Sequence, residues 1–162
     1  MTRAWRNRTE SLSAYDRDMA AAFPDTLLHR IGNILITPLA RLGLAGKRTH
    51  ILTVTGRKTG RKYSTPVQLV LRDGQRWLVS PYGERAWVKN ARAAGWVELT
   101  RALRTERVRI EESDAQTAAP VLREYLSKTP VTKSFFDATP DSPLDTFAAE
   151  AQRHPVFRIV SS

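Results

Sequence analysis

The chain has 162 residues, 41% of them hydrophobic, with four Trp, four Tyr and five Phe, which suits a single globular domain with a real core. It has no Cys, which excludes disulfides, thiolate metal sites and a Cys nucleophile, and His29, His50 and His154 are too scattered to form a metal site, so no metal is expected. The net charge of +10 is unevenly spread: between Thr26 and Arg72 there is no Asp or Glu, but nine cations stand there (Arg30, Arg41, Lys47, Arg48, Arg57, Lys58, Arg61, Lys62 and Arg72), a run that persists most easily beside an anionic partner.

The first elements read as helices. Residues 10–22 form one, within an N-terminal helical segment 1–24, and residues 25–42 form a second. In the second, Leu27, Leu28, Ile31, Leu35, Leu39 and Leu42 recur at spacings of three and four, Pro38 interrupts the pattern, and Gly43 and Gly46 end it. The period then changes to that of strands. Residues 50–55 and 63–71 are β-branched runs, and Asp73–Gly74 turns the chain into a third strand at 75–80. A short helix at 85–94 ends at Gly95, strands 96–101 and 104–111 are joined tightly through Ala102 and Leu103, and residues 114–127 return to helix. A Pro-containing loop at 129–143, a short helix at 144–152 and a strand at 155–160 follow. About six mainly antiparallel strands with flanking helices predict an α+β, barrel-like domain spanning 25–162. No apolar signal core is apparent and no segment approaches the roughly 20 apolar residues of a spanning helix, so the expected location is the cytoplasm, with contact to a membrane surface left open.

The densest chemistry lies in TGRKTGRKYSTPV, residues 55–67, between the first two strands. Gly56 and Gly60 permit positive φ and close approach of the backbone to a ligand. Arg57, Lys58, Arg61 and Lys62 add four cations, and Thr55, Thr59 and Ser64 add hydroxyls. Turn amides and Arg forks match phosphate and carboxylate oxygens. The spacing is not that of a Walker loop, and no helix follows. The same residues also suit an ordinary solvated hairpin turn.

The segments LTVTGRKTGRKYSTPV, LRDGQRWLVSPYG, AWVKNARAAG and HPVFRIV occur in this order. That succession resembles the deazaflavin-dependent nitroreductase family of actinobacterial split β-barrel oxidoreductases, over roughly residues 25–160, with TGRKTG…TP its most specific part. The resemblance implies a fold related to flavin-mononucleotide-binding split barrels and use of coenzyme F420, with the mononucleotide itself less favoured. It implies an F420H2-dependent reductase that passes a hydride to a quinone, nitroaromatic or other conjugated small-molecule acceptor. By motif, Arg57, Lys58, Thr59, Gly60 and Arg61 would bind the phosphate and anionic tail. Thr65, Pro66 and Val67 would lie beside the deazaflavin ring, and Ser80, Pro81, Tyr82 and Gly83 would border ring and phosphate. Trp87, Lys89 and Asn90, in a W-x-x-N pattern, would cover the coenzyme; Trp87 equally suits a core position on an amphipathic helix.

In such a reaction the coenzyme carries the chemistry, while the protein binds it and holds the acceptor about 3–3.5 Å from the hydride with water excluded. Tyr63, Ser80, Tyr82 and Lys89 are candidate proton donors, unranked by sequence. The stretch TPVTKSFFDATPDSPLDTF carries Phe135, Phe136 and Phe147 where the best-known family members have Tyr, so an apolar pocket wall is expected without those hydrogen-bond donors, which places nitroimidazole reduction in question. These Phe residues also suit plain core. Two other function classes stay open on sequence. A non-catalytic coenzyme- or fatty-acid-binding protein could rest on an anionic membrane through residues 27–42. A nucleic-acid-binding barrel would share the basic face but should expose stacking aromatics, whereas Trp77 and Trp96 sit in apolar runs, so no nucleic acid is expected. A homodimer is compatible with all three.

Overall fold

The computed structural model describes residues 46–160; the segment 1–24 and the helices expected at 10–22 and 25–42 lie outside the described residues. Seven strands form one antiparallel sheet: β1 (Thr49–Thr55), β2 (Lys62–Gln68), β3 (Val70–Arg72), β4 (Gln75–Val79), β5 (Trp96–Arg101), β6 (Arg104–Glu112) and β7 (Val156–Val160). Their order across the sheet is β2-β1-β5-β6-β7-β4-β3. The two edge strands, β2 and β3, are therefore neighbours in sequence. The expected single strand 63–71 breaks at Leu69, whose N–H instead donates to Arg48 O at 2.9 Å. One residue thus links opposite edges of the sheet, and the sheet must curl until those edges meet. The fold is an α+β split β-barrel, and the break at Leu69 is why it has seven strands rather than about six.

Alternation along the strands builds two cores, one on each face. Leu52, Val54, Leu78, Val97, Leu99, Val108, Phe157 and Ile159 fill the barrel, and Val88 and Ala91 of α1 (Ala86–Ala94) join them. On the outer face of β3, β4 and β7, Val70, Trp77, Val79 and Val156 pack under α2 (Ala115–Lys128) and α3 (Leu144–Glu150) through Leu122, Leu126 and Phe147. Strand β4 is apolar on both faces, so Trp77 is core. Trp96, in contrast, is half-buried outside the barrel core, with the Arg107 guanidinium 3.6 Å above its ring. The expected loop 129–143 contains a short 3-10 turn, Pro130–Phe135, which carries no helical periodicity for a sequence reading to detect. No helix among the described residues is long and apolar enough to cross a membrane.

Both tight hairpins use left-handed residue pairs. Asp73 and Gly74 (φ 52° and 72°) are the residues such a turn prefers. Ala102 and Leu103 (φ 49° and 61°) are not, and their Cβ atoms crowd the backbone there. Leu103 is also exposed, so its side chain returns little. Replacing the pair by Asn-Gly (Ala102→Asn with Leu103→Gly) is expected to stabilise the fold by about 1 kcal/mol, part of the relief being offset by the freer unfolded chain. A thermal melt should rise by roughly 2–4 °C.

Candidate functional site

The basic loop, the turn after β4 and helix α1 meet at one end of the barrel. The loop closes on itself: Gly56 N–H donates to Arg61 O at 2.7 Å and Gly60 N–H to Gly56 O at 2.8 Å. Gly60 has φ +68°, as expected of a turn glycine. Gly56 does not need positive φ. It is required because a Cβ there would stand 2.7 Å from both Thr59 Oγ1 and the Tyr63 ring. Thr59 Oγ1 also lies 3.2 Å from Tyr63 Oη and accepts from Arg61 N–H at 3.3 Å.

A single side chain from α1 fixes the loop's approach. Asn90 is fully buried, and its Oδ1 accepts from Arg57 N–H at 3.2 Å and from Arg57 Nη1 at 3.0 Å. Asn90 therefore aims the loop. Lys62 turns away along β2 to Glu98 on β5, with its ammonium 2.8 and 2.9 Å from the two carboxylate oxygens. Lys58 and Arg61 are exposed and form no ion pair among the described residues. Of the four loop cations, one is tied to Asn90, one is neutralised and two stand free for an anion.

Thr65, Pro66 and Val67 lie on β2, where one side pairs with β1 (Leu52↔Thr65, Ile51↔Pro66, His50↔Val67) and the other is a sheet edge among the described residues. An edge leaves main-chain polar groups available for a ligand. Ser80 is fully buried; its N–H donates to Pro155 O at 2.9 Å and its hydroxyl to Gly83 O at 2.6 Å. Pro81 is buried beside it. Gly83 takes φ +85°, which favours glycine, and lies against the segment beneath, where a Cβ would be in ordinary contact with Arg153 O at 3.4 Å. Tyr82 projects from this turn half-buried, its ring edge-on to Phe135 at 4.7 Å, and burial pushes its hydroxyl pKa up. Trp87 is half-buried and packs against the barrel core near Phe157, as its core reading has it. Lys89 Nζ stands 3.6 Å from Glu84, and Glu84 also holds Arg92. Arg92 in turn bonds both oxygens of Glu112 at 2.6 Å, which straps α1 to β6.

Of the three Phe residues expected to wall a pocket, only Phe135 is in a position to do so, at 39% exposure. Phe136 and Phe147 are core.

Sequence reasoning missed the group beneath this turn. Glu150 is 2% exposed, and its Oε1 accepts from the N–H groups of Asp137 and Ala138 at 2.6 and 2.8 Å. Its Oε2 accepts from Arg153 Nη2 at 2.9 Å and lies 3.1 Å from His154 Nε2. His154 is also buried, stacked on Phe136 at 4.0 Å, and neither ring nitrogen has hydrogen-bond geometry to a described partner. The E-x-x-x-H spacing on the apolar side of a helix was the available signal. Burial lowers the His154 pKa more than the Glu150 carboxylate raises it, and burial likewise lowers that of His50. Both are then neutral in the folded chain but charge in the unfolded chain below its ordinary histidine pKa of about 6.5. Stability is expected to be full above that pH and to fall as the solution is acidified through it. In chemical denaturation across this range, His154→Gln should keep only the share of the slope that belongs to His50.

The geometry fits an elongated anionic group with a flat ring. The exposed Lys58 and Arg61, unpaired among the described residues, stand at the same end of the barrel as the aromatic turn at Tyr82 and the start of β2. The sequence matches the F420H(2)-dependent quinone reductase family over residues 39–134. No curated protein matches it. Among solved structures it is similar to Atu2129 from Agrobacterium tumefaciens str. C58, of unknown function (15% identity, 86% of this chain and 59% of that one, TM-score 0.52). It is similar also to a protein described as a domain-swapped dimer (14% identity, 83% and 100% coverage, TM-score 0.51). A third is the F420-H2 dependent reductase FDR-A (17% identity, 70% and 95% coverage, TM-score 0.49). At these identities the first two likenesses bear on the fold alone.

Proposed function

This chain belongs to the F420H(2)-dependent quinone reductase family and is an F420-dependent oxidoreductase, and we propose that it reduces a planar conjugated acceptor of the quinone type at the Tyr82–Phe135 edge. When bound, the reduced coenzyme supplies the hydride. The chain's own residues do the rest. Lys58 and Arg61 bind the anionic tail, Arg57 carries the loop on Asn90, and the β2 edge at Thr65–Val67 flanks the ring. The turn Ser80–Gly83 and Trp87 enclose it and exclude water.

Among the candidate proton donors, Ser80 has given its hydroxyl to Gly83, Lys89 faces Glu84, and Tyr63 lies against Thr59. Tyr82 forms no hydrogen bond among the described residues and is protonated at neutral pH, so it is the residue proposed to donate to an acceptor oxygen. Phe135 gives the apolar wall. A homodimer enters this proposal through the neighbour described as a domain-swapped dimer, and sedimentation of the purified protein reads it directly.

The observation that carries this reading is a loop pinned by Asn90 on which Lys58 and Arg61 have no acidic partner among the described residues. Lys58→Ala is the test. A charge-assisted bond to a phosphate or carboxylate is worth about 1.5–3 kcal/mol, so the coenzyme dissociation constant should rise roughly ten- to hundredfold. The rate at saturating coenzyme should change far less, since Lys58 holds the tail and not the reacting carbon. A melt should move by less than about 0.5 kcal/mol, because the side chain is exposed. Unchanged affinity in a fluorescence titration, or binding no tighter than that of flavin mononucleotide, would return the loop to a solvated turn.

A further inference from the structure

Tyr82 and Phe135 come from distant parts of the chain, and neither lies on a strand or an α-helix. Both are nevertheless held, because both are suspended from Glu150. On one side, the Ser80–Gly83 turn rests on residues 153–155 through Ser80 N–H to Pro155 O and the close approach of Gly83 to Arg153 O. Those residues continue directly from α3, with Arg153 N–H and His154 N–H both donating to Glu150 O at 2.9 and 3.0 Å. On the other side, Phe135 is followed by Phe136, which stacks on His154, and by Asp137 and Ala138, whose N–H groups are both taken by Glu150 Oε1. Arg153 reaches across from Glu150 Oε2 to Asp137 Oδ2 at 2.5 Å and closes the ring of contacts.

A buried carboxylate is an expensive way to join two segments, since an apolar contact of the same volume is often as stable. What a carboxylate adds is direction. One oxygen fixes two consecutive backbone N–H groups, those of Asp137 and Ala138, while the other faces Arg153 and His154 of the segment that carries the Ser80–Gly83 turn. We propose that Glu150 is a positioning residue: it sets the separation between Tyr82 and Phe135 and thereby how a planar acceptor fits against them. The proposal rests on the reading of those two rings as the acceptor edge.

The test is Glu150→Gln, which removes the charge and the pairing with Arg153, with Glu150→Asp as a second variant that draws the carboxylate back by one methylene from Asp137 and Ala138. Two quantities are read. In the coenzyme-free protein, the nuclear Overhauser contact between the Tyr82 and Phe135 rings should weaken or vanish. In the loaded enzyme, the KM for a quinone should rise about five- to tenfold while coenzyme affinity stays within about twofold, a split that mere loss of fold does not produce. A preserved ring contact with unchanged KM in a folded variant overturns the proposal. So does an equal rise in KM and in the coenzyme dissociation constant, which would mean general loosening. If Glu150→Gln does not fold, Glu150→Asp decides by the same readings. If the wild-type protein binds no coenzyme, the proposed function fails, and the ring contact alone still decides the role of Glu150.

Discussion

Glu150→Ala is expected to lower stability by about 3–5 kcal/mol, the usual cost of removing one partner from a buried charged network. The deletion leaves two main-chain N–H groups, those of Asp137 and Ala138, without their acceptor. It also strips Arg153 of one of its two carboxylates and leaves a void beside the Phe136–His154 stack. For a chain of this size that corresponds to a fall in melting temperature of roughly 6–20 °C. Arg153→Ala removes an exposed partner and should cost far less, on the order of 1 kcal/mol or below. Equal melts for the two alanine variants would show that Glu150 is solvated in solution.

Asn90→Leu should separate binding from folding in a different way. The substitution is close in volume but removes the acceptor shared by Arg57 N–H and Arg57 Nη1. Leaving a partly buried amide and a guanidinium unsatisfied costs about 2–4 kcal/mol in all, part of it in stability and part in the ordering of the loop. The loop should then carry Lys58 and Arg61 without aiming them. Coenzyme affinity is expected to fall by at least about tenfold even though no contact to the tail has been deleted. Calorimetric titration checks this: an affinity equal to that of the wild type would mean that the loop orders itself without Asn90.

The elements that sequence made legible are those whose cause is local. The Asp73–Gly74 turn and the stop of α1 at Gly95 are each set by chemistry within a few residues. The basic loop was legible for the same reason. Its electrostatics were not. Lys62 is neutralised by Glu98, 36 positions away, and that pairing exists only once the register of β1 against β2 and β5 brings the two together. Asn90 was expected to face a ligand, and what the structure adds is its hold on Arg57, which depends on how α1 plugs the barrel. Phe135 and Phe136 are adjacent in sequence and differ in role because a 3-10 turn ends between them. The spacing of Glu150 to His154 was a signal, but its partners at Asp137 and Ala138 were not legible, because they belong to a segment with no periodicity.

The place of β7 has a consequence for the order of events during synthesis. It is the last of the seven strands to be made, yet it lies between β6 and β4 near the middle of the sheet. Before it emerges, the earlier strands can form only two separate ladders, β2-β1-β5-β6 and β4-β3. The basic loop belongs to the first ladder, and the Ser80–Gly83 turn follows from the second. Pairing residues near 79 with residues near 156 closes a long chain loop, the kind of step that slows folding and prolongs exposure of open strand edges. Until β7 is made, the two ladders keep open edges exposed to mispairing, and its insertion joins the basic loop's ladder to the one that carries the Ser80–Gly83 turn.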